Sequence, residues 1–267
     1  LSKYSCDWII VDHYALDYIW ESYLRKISNK ILVIDDLADR RHNCDMLLDQ
    51  NFFKNKETRY LQKVPKNCKM LLGPKYALLR EEFQYFHTKA KFRVEKPKRI
   101  LVFFGGIDSH NFTEKTIDII GKFSKLSFYV DVVIGSNHPQ KSEIVLKCKK
   151  FGFHCHIQTN RMAELLSKAD IAIGAGGTVT WERISCLLPS IVITTAENQI
   201  LPIKELASIG IIYYLGHGSQ NFFDKFTKIF RDIISGQFNK IIFFDNKILE
   251  VDGFGAKRVA NLLIRMS

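Results

Sequence analysis

The clearest chemical signal in the sequence is a glycine-rich segment, G-A-G-G-T-V-T-W-E, at residues 174–182. It follows a predicted strand, Ile171 to Ile173, and leads into a predicted helix. Glycine lets backbone amides approach an anion closely, and the first amides of a helix have no intrahelical acceptor. The pattern therefore indicates an anion-binding turn, although a tight strand-to-helix turn without a ligand would use the same residues. Neither the Walker loop nor G-x-G-x-x-G is matched.

A second glycine pair follows another predicted strand, in F-F-G-G-I-D-S at residues 103–109. Gly105 and Gly106 allow close backbone approach, and Asp108 or Ser109 would cap the next helix. The alternative is the first turn of a domain without a ligand. In the first segment, Glu182 falls within the first helical turns, where its carboxylate would pair with ribose hydroxyls or favour the helix dipole.

Polar side chains follow two more strands. Glu197, Asn198 and Gln199 come after the strand Ser190 to Ile193, where amides bind sugar hydroxyls or water, or where the segment caps the next helix. His13 and Tyr14 follow the first strand and are residue types that act as acid, base or hydrogen-bond donor. Taken alone, the His-Tyr pair favours capping and packing. The adjacent acids at 35 and 36 point apart on a strand end, which favours helix capping and loop positioning over a catalytic pair.

Apolar runs with polar ends alternate with helical segments along the whole chain, which predicts an α/β fold with parallel strands covered on both faces. In the first half the predicted strands are Asp7 to Asp12, Lys30 to Asp36, Asp45 to Asp49 and Met70 to Leu72, and the predicted helices are His13 to Ser28 and Leu79 to Lys91.

The second half predicts a doubly wound parallel sheet. Its predicted strands are Ile100 to Phe104, Phe128 to Ile134, Phe153 to Ile157, Ile171 to Ile173 and Ser190 to Ile193, and its predicted helices are Thr113 to Ser124, Lys141 to Lys150, Arg161 to Ala169, Thr180 to Cys186 and Gln199 to Ile209. The basic stretch Arg93 to Arg99 is the predicted linker. Asp252 is the predicted N-cap of a last helix that ends at Met266.

Composition narrows the class of protein. A hydrophobic fraction of 46% and a charged fraction of 25% are those of a globular protein. The net charge of +11 comes from scattered lysines, which favours a basic surface over a nucleic-acid partner. None of the six cysteines forms a C-x-x-C pair, so we expect neither zinc nor disulfides. We expect a cytoplasmic monomer without metal, cofactor, signal peptide or membrane span.

Taken together, these motifs resemble a known family: the UDP-2,4-diacetamido-2,4,6-trideoxy-β-L-altropyranose hydrolases of pseudaminic acid biosynthesis (PseG type), which are relatives of GT-B glycosyltransferases. The resemblance covers nearly the whole chain, and only the combination of motifs is specific. The matching segments are V-D-H-Y-A-L-D at 11–17, D-D-L-A-D-R at 35–40, C-D-M-L-L-D-Q-N at 44–51, Y-A-L-L-R-E-E-F at 76–83, F-F-G-G-I-D at 103–108, G-A-G-G-T-V-T-W-E-R at 174–183, A-E-N-Q at 196–199 and D-G-F-G-A at 252–256.

The resemblance implies two Rossmann-like domains of GT-B type with the nucleotide sugar between them. We expect an N-terminal domain at 1–96, a UDP-binding domain at 97–245 and a C-terminal helix, 246–267, that packs back towards the first domain. It implies that water displaces UDP at the anomeric carbon. Tyr14 and Asn198 match catalytic positions that face the sugar; the residues matching substrate-binding positions are His13, Gly105, Gly106, Asp108, Gly174, Gly176, Gly177, Thr178, Glu182, Glu197 and Gln199.

One departure from the family pattern stands out. The family opens with a strand and a G-x-G-H-x-x-R loop whose His is the expected base, and this sequence lacks the motif. We therefore expect an N-terminal domain truncated by its opening β-α units, with UDP binding retained and hydrolysis weak. The alternatives are a GT-B glycosyltransferase that uses a UDP-N-acetylhexosamine and a non-catalytic nucleotide-sugar-binding fragment. Binding of a polyanion is a weaker fourth alternative.

Overall fold

The computed structural model describes residues 6–91, 97–123, 128–218, 221–236 and 249–266. The chain divides into two units: unit 1 comprises Leu1–Glu81 and Lys247–Ser267, and unit 2 comprises Glu82–Asn246. The predicted domain ranges 1–96, 97–245 and 246–267 differ from these units in the place of the helix Glu82–Lys89, and they stay predictions. Most of the predicted linker, Arg93 to Arg99, lies outside the described residues.

Unit 1 is built on a parallel sheet with the strand order β1-β2-β3-β4. Its strands are β1 (Cys6–Val11), β2 (Ser28–Ile34), β3 (Met46–Asp49) and β4 (Lys69–Leu72). All four were predicted from apolar runs, with ends that shift by one or two residues. Core clusters lie on both faces of the sheet. Successive side chains of one strand contribute to different clusters because they point to opposite sides. Ile31 and Val33 join one core cluster, whereas Leu32 joins the other.

The helices of unit 1 are α1 (Tyr18–Leu24), α2 (Lys56–Arg59) and α10 (Gly255–Met266). The prediction of one helix from His13 to Ser28 is wrong at both ends. Helix α1 begins only after Asp17, whose carboxylate caps it by accepting from the amides of Ile19 and Trp20. The chain must then turn back, because β2 already begins at Ser28.

The last helix packs its apolar face, which includes Val259 and Leu263, against the second core cluster of unit 1. Asp252 is not its N-cap, since α10 begins three residues later at Gly255. The carboxylate of Asp252 instead accepts from the amide of Phe254 and forms an ion pair with Arg258. The prediction was wrong because the carboxylate of Asp252 accepts from an amide two residues later and pairs with Arg258 in the first turn of α10, so it does not cap the helix.

Unit 2 contains a six-stranded parallel sheet with the order β10-β9-β8-β5-β6-β7. The sequence did not predict its last strand. The strands are β5 (Arg99–Phe103), β6 (Tyr129–Ile134), β7 (His154–Ile157), β8 (Ile171–Ala175), β9 (Ser190–Thr194) and β10 (Tyr213–His217). The first strand of the unit is central, and the order reverses between β5 and β8. This is the arrangement of a doubly wound sheet, which places its ligand crevice at the reversal.

Helices cover both faces of this sheet: α3 (Glu82–Lys89), α4 (Phe112–Gly121), α5 (Lys141–Phe151), α6 (Met162–Lys168), α7 (Val179–Ser185), α8 (Ile200–Ser208) and α9 (Phe222–Ser235). Helix α9, which the sequence did not predict, packs on the main core through Phe226 and Phe230. Ile100 and Val102 face that core, and Leu101 between them is buried on the opposite face. Among the residues described, no helix is long and apolar enough to span a membrane.

Candidate functional site

Two glycine-containing loops meet where the strand order of unit 2 reverses. β5 pairs directly with β8, so that Phe103 lies beside Gly174 at the carboxyl ends of both strands. Gly105 and Gly106 follow β5, and the turn at residues 176–178 follows β8. Ligands of open parallel sheets bind at such a reversal, beyond the strand ends. The fold therefore brings the two predicted loops to the edge where a ligand would bind.

Gly174 and Gly176 allow close packing beneath this edge. Gly174 is a strand residue, not part of the turn, because β8 continues to Ala175. A Cβ at Gly174 would collide with the carbonyl oxygen of Phe103 and would lie 2.8 Å from Nη1 of Arg183. A Cβ at Gly176 would lie 2.7 Å from Cγ1 of Ile203. Both positions are buried, so they shape the site from below.

The turn itself presents backbone amides. Gly176 donates to the carbonyl of Ile193 at 3.0 Å, and Thr180 donates to the carbonyl of Gly177 at 2.9 Å. The three amides between them, at residues 177, 178 and 179, have no acceptor among the described residues. Thr178 is exposed, and its side chain makes no capping bond. Three adjacent free donors at a strand-to-helix turn form a concave site for an anion.

The loop after β9 lies against this turn. Oε1 of Gln199 accepts from the amide of Thr195 at 3.0 Å, which orients the side-chain amide. Its Nε2 is 3.6 Å from the position that a Cβ of Gly177 would occupy. The structure thus brings together Gln199 and Gly177, which are separated by 22 positions along the chain. Asn198, beside Gln199, is half-buried, and Glu197 is exposed.

The strand β10 adds two polar residues that the sequence prediction missed. Oγ1 of Thr194 lies 2.9 Å from the hydroxyl of Tyr214 and 3.1 Å from Nδ1 of His217. Nε2 of His217 is 3.4 Å from a carboxylate oxygen of Glu197. These contacts extend the polar edge across a further strand. The signal was the apolar run before Gly216, which reads as a short strand once β9 is recognised.

Asp108, a predicted site residue, has its carboxylate engaged by the fold. Its oxygens accept from the amides of Phe112 at 3.0 Å and Thr113 at 2.7 Å, so Asp108 caps helix α4. The same carboxylate also faces buried His138, whose Nε2 is 3.6 Å from Oδ2 of Asp108. These bonds position the loop that carries Gly105 and Gly106. Of the two residues expected to cap this helix, Asp108 and Ser109, it is Asp108 that accepts these amides, and its contact with a substrate stays a prediction.

Arg183 is the largest fully buried side chain of the part of the chain that the structure describes, at 1% exposure, and the sequence prediction did not include it in the site. Its Nη2 donates to the carbonyl of Ala175 at 2.7 Å and to Oγ1 of Thr180 at 3.0 Å. Burial lowers the pKa of Arg183 to about 10, and the charge of Glu182 opposes that shift. It was missed because an arginine in a short amphipathic helix normally points to solvent.

His13 and Tyr14, the predicted site residues of unit 1, follow β1 in an exposed loop. Nδ1 of His13 accepts from the amide of Ala15 at 3.1 Å, which is the local capping role expected for a lone histidine there. The side chain of Tyr14 is 57% exposed. These two residues belong to unit 1 and Asn198 to unit 2, so a shared contact with one sugar stays a prediction.

A buried polar network lies at the carboxyl ends of β2 and β3 in unit 1. Oδ1 of Asp35 pairs with Arg40 at 2.8 Å, and the hydroxyl of Tyr60 donates to the Asp35 carbonyl at 2.8 Å. Burial alone would raise the pKa of Asp35. Hydrogen bonds with His42 and Ala38 and the charges of Arg40 and His42 outweigh burial and hold this pKa at about 2. The contacts agree with the loop-positioning role predicted for this acid.

Two further buried groups of this network have displaced pKa values. Nδ1 of His42 is 2.7 Å from Oε1 of Glu21. Burial would lower the pKa of His42, but the carboxylates of Asp35 and Glu21 outweigh it and raise the value to about 9. Burial raises the pKa of Asp49 to about 7. Within the described part of the chain, no group of three or more His, Cys, Asp or Glu residues could hold a metal ion.

Comparison with solved structures defines the class of fold. The chain is similar to MurG from Acinetobacter baumannii, with a TM-score of 0.60 over 97% of this chain and 73% of that chain, at 13% sequence identity. At this identity the likeness shows the fold alone: α/β with parallel sheets in Rossmann-like domains of GT-B type. The predicted fold class is confirmed. No protein-family model matches the chain.

Comparison of sequences shows proteins that are more similar to the chain than MurG is. The chain is 30% identical over 178 residues to the UDP-2,4-diacetamido-2,4,6-trideoxy-beta-L-altropyranose hydrolase of Campylobacter jejuni, covering 66% of this chain and 62% of that protein. It is also 30% identical over 155 residues to the spore coat polysaccharide biosynthesis protein SpsG of Bacillus subtilis, covering 57% of this chain and 45% of that protein. It thus covers less than two thirds of either relative. The predicted resemblance is supported for this group, and the particular enzyme type stays a prediction.

Proposed function

We propose that unit 2 binds the UDP moiety of a nucleotide sugar, with the diphosphate on the turn at residues 176–178. The observation that carries this proposal is the set of three adjacent amides without acceptors at the reversal of strand order. Backbone donors at such a turn suit phosphate oxygens. Gln199 supplies a side-chain amide beside the same turn. In this proposal Glu182 binds the ribose hydroxyls.

The reaction that we propose is hydrolysis of UDP-2,4-diacetamido-2,4,6-trideoxy-β-L-altropyranose. It is supported by the sequence similarity to the Campylobacter hydrolase. The oxygen of water forms a bond to the anomeric carbon, and the bond from that carbon to the terminal phosphate oxygen breaks. UDP leaves with the electron pair, and the proton of water passes to solvent. Donors at the turn stabilise the charge that develops on the leaving phosphate.

Tyr14 and Asn198 are proposed to contact the sugar, on the strength of the resemblance. Their contribution is separable from UDP binding, because UDP lacks the sugar. Calorimetry of Tyr14→Phe and Asn198→Ala should show a loss of affinity for the nucleotide sugar with affinity for UDP unchanged. Tyr85→Phe and Asn55→Ala, exposed or loop positions outside the proposed site, are the matched controls. Equal losses for both ligands would contradict the sugar contact.

The direct test of the proposed function has two readouts. Calorimetry should detect 1:1 binding of UDP, and a chromatographic assay should detect UDP released from the nucleotide sugar. Absence of UDP binding would refute the proposal.

A glycosyltransferase is the second candidate, favoured by the similarity to a polysaccharide biosynthesis protein. Both reactions release UDP, so the fate of the sugar distinguishes them. Mass spectrometry should find the free sugar after hydrolysis and a new glycoside after transfer to an added acceptor. Binding of UDP with neither product would indicate a binding fragment without activity.

A further inference from the structure

The turn at residues 176–178 lies next to a buried positive charge. The guanidinium of Arg183 occupies the space that a side chain on Gly174 would need, with Nη1 2.8 Å from that Cβ position. Nη2 holds the carbonyl of Ala175, the residue that immediately precedes the turn. The arginine is therefore anchored to the end of β8, at the residue that precedes the turn with the three free amides.

Among the described residues, no carboxylate forms a hydrogen bond with the guanidinium of Arg183. Its hydrogen-bond partners there are a carbonyl and a hydroxyl, and its Nε has none. Glu182, its neighbour in the chain, is the acid whose charge acts on it. An ionised group with neutral partners in a buried site is costly unless an opposite charge lies nearby. A bound anion would supply such a charge.

We propose that Arg183 is a positioning residue that gives the turn a positive potential and thereby makes it selective for a diphosphate over a neutral ligand. The inference rests on the proposed function. Arg183 does not touch the ligand. It acts through the field of its guanidinium and through the carbonyl of Ala175, which it holds at the start of the turn. A unit charge acting through a protein interior on a nearby phosphate changes affinity by about 10-fold or more.

Selectivity between charged and neutral ligands separates this role from a merely structural one. The probes are UDP and uridine, whose affinities are measured by ligand-observed NMR, which also covers weak binding. In Arg183→Met, the ratio of UDP affinity to uridine affinity should fall about 10-fold or more. A general loss of packing would weaken both ligands equally and leave the ratio unchanged, which would overturn the inference; a fall that comes only from distortion of the turn would not change with pH in Arg183→Lys.

Arg183→Lys is the second variant, because the methionine variant can fail to fold. Lysine keeps the charge, and burial lowers its pKa far more readily than that of arginine. Divided by the wild-type ratio at the same pH, the ratio of UDP to uridine affinity in Arg183→Lys should therefore fall as the pH rises from 7.5 to 9. A folded Arg183→Lys whose ratio equals that of the wild type at every pH would overturn the inference.

The two proposals fail in different ways. If the wild-type protein binds no UDP, the proposed function is refuted, and the role of Arg183 falls with it. If the wild type binds UDP and neither variant changes the ratio, only the role of Arg183 is refuted. Thermal unfolding of each variant confirms that the titrated protein is folded.

Discussion

The guanidinium of Arg183 lies where any side chain at Gly174 would have to stand, with 2.8 Å between Nη1 and the Cβ position. The two residues are nine positions apart, in strand β8 and helix α7. Because Gly174 has no side chain, it leaves the space in which the charged guanidinium of Arg183 is buried at the end of β8.

Gly174→Ala should destabilise unit 2. The new methyl group meets both Arg183 and the backbone carbonyl of Phe103, which cannot rotate away. We expect a loss of about 3 kcal/mol in the free energy of unfolding, measured by chemical denaturation. Gly106→Ala is the matched control, since a Cβ there meets nothing within 4 Å. Unchanged stability of Gly174→Ala would contradict the packing described.

Gln199→Glu should separate positioning from ligand binding. The glutamate keeps the oxygen that accepts from the amide of Thr195 but replaces the donor beside Gly177 with a negative charge. We expect stability near that of the wild type. The affinity for UDP, measured by calorimetry, should fall by about 10-fold or more. Glu205→Gln, a change of the opposite sense on helix α8, serves as the control. Wild-type affinity in Gln199→Glu would remove this residue from the proposed site.

Asp108→Ala should lower stability, because the carboxylate accepts from two amides at the start of helix α4. The expected cost is about 1–2 kcal/mol, by denaturant titration. Asp108→Asn, which keeps one acceptor oxygen, should cost about half as much. If Asp108 acts only by capping, UDP affinity of Asp108→Asn should stay within about 3-fold of the wild type. A larger loss would show that the carboxylate serves the ligand.

The stability of unit 1 should fall as the pH rises from 6.5 to 9. The pKa of His42 is raised from 6.5 to about 9 in the folded protein, so the folded state holds a proton that the unfolded state has released. The contribution of His42 to the free energy of unfolding, up to about 3 kcal/mol, is complete below pH 6.5 and is lost as the pH rises from 6.5 through 9. Hydrogen exchange of the β2 and β3 amides measures it.

His42→Gln should remove this pH dependence and lower stability at pH 6. His110→Gln, at an exposed position in unit 2, is the matched control and should leave the profile intact. A wild-type profile that is flat between pH 6.5 and 9 would contradict the raised pKa. Asp49, whose pKa is raised to about 7, contributes a separate loss of stability as the pH rises from about 4 to 7.

Much of the fold was predictable because buried parallel strands leave short apolar runs in the sequence. Ile100 to Phe104 and Ser190 to Ile193 were found within a residue of their observed ends. The sequence missed β10, whose run is short and interrupted by Gly216, and it overextended the helix at His13 because helical propensity alone does not show where a cap begins.

Part of the candidate site was also predictable. The glycines after β5 and β8 and the amides after β9 fall at the ends of apolar runs, and the carboxyl ends of parallel strands must share one edge of the sheet. The sequence could not predict which ends are neighbours. That depends on the strand order, and the pairing of β5 with β8 is a long-range contact with no local signature.

The sequence by itself determined the α/β class, the strand runs and the glycines that permit close approach, because these depend on local periodicity and on the absence of a Cβ. Only the tertiary structure decided that Gln199 lies against Gly177, that Asp108 is engaged by helix α4 and that Arg183 is buried against Gly174 at the end of β8. Burial of a charge and the pairing of distant side chains are properties of packing, and no local pattern of residue types specifies them.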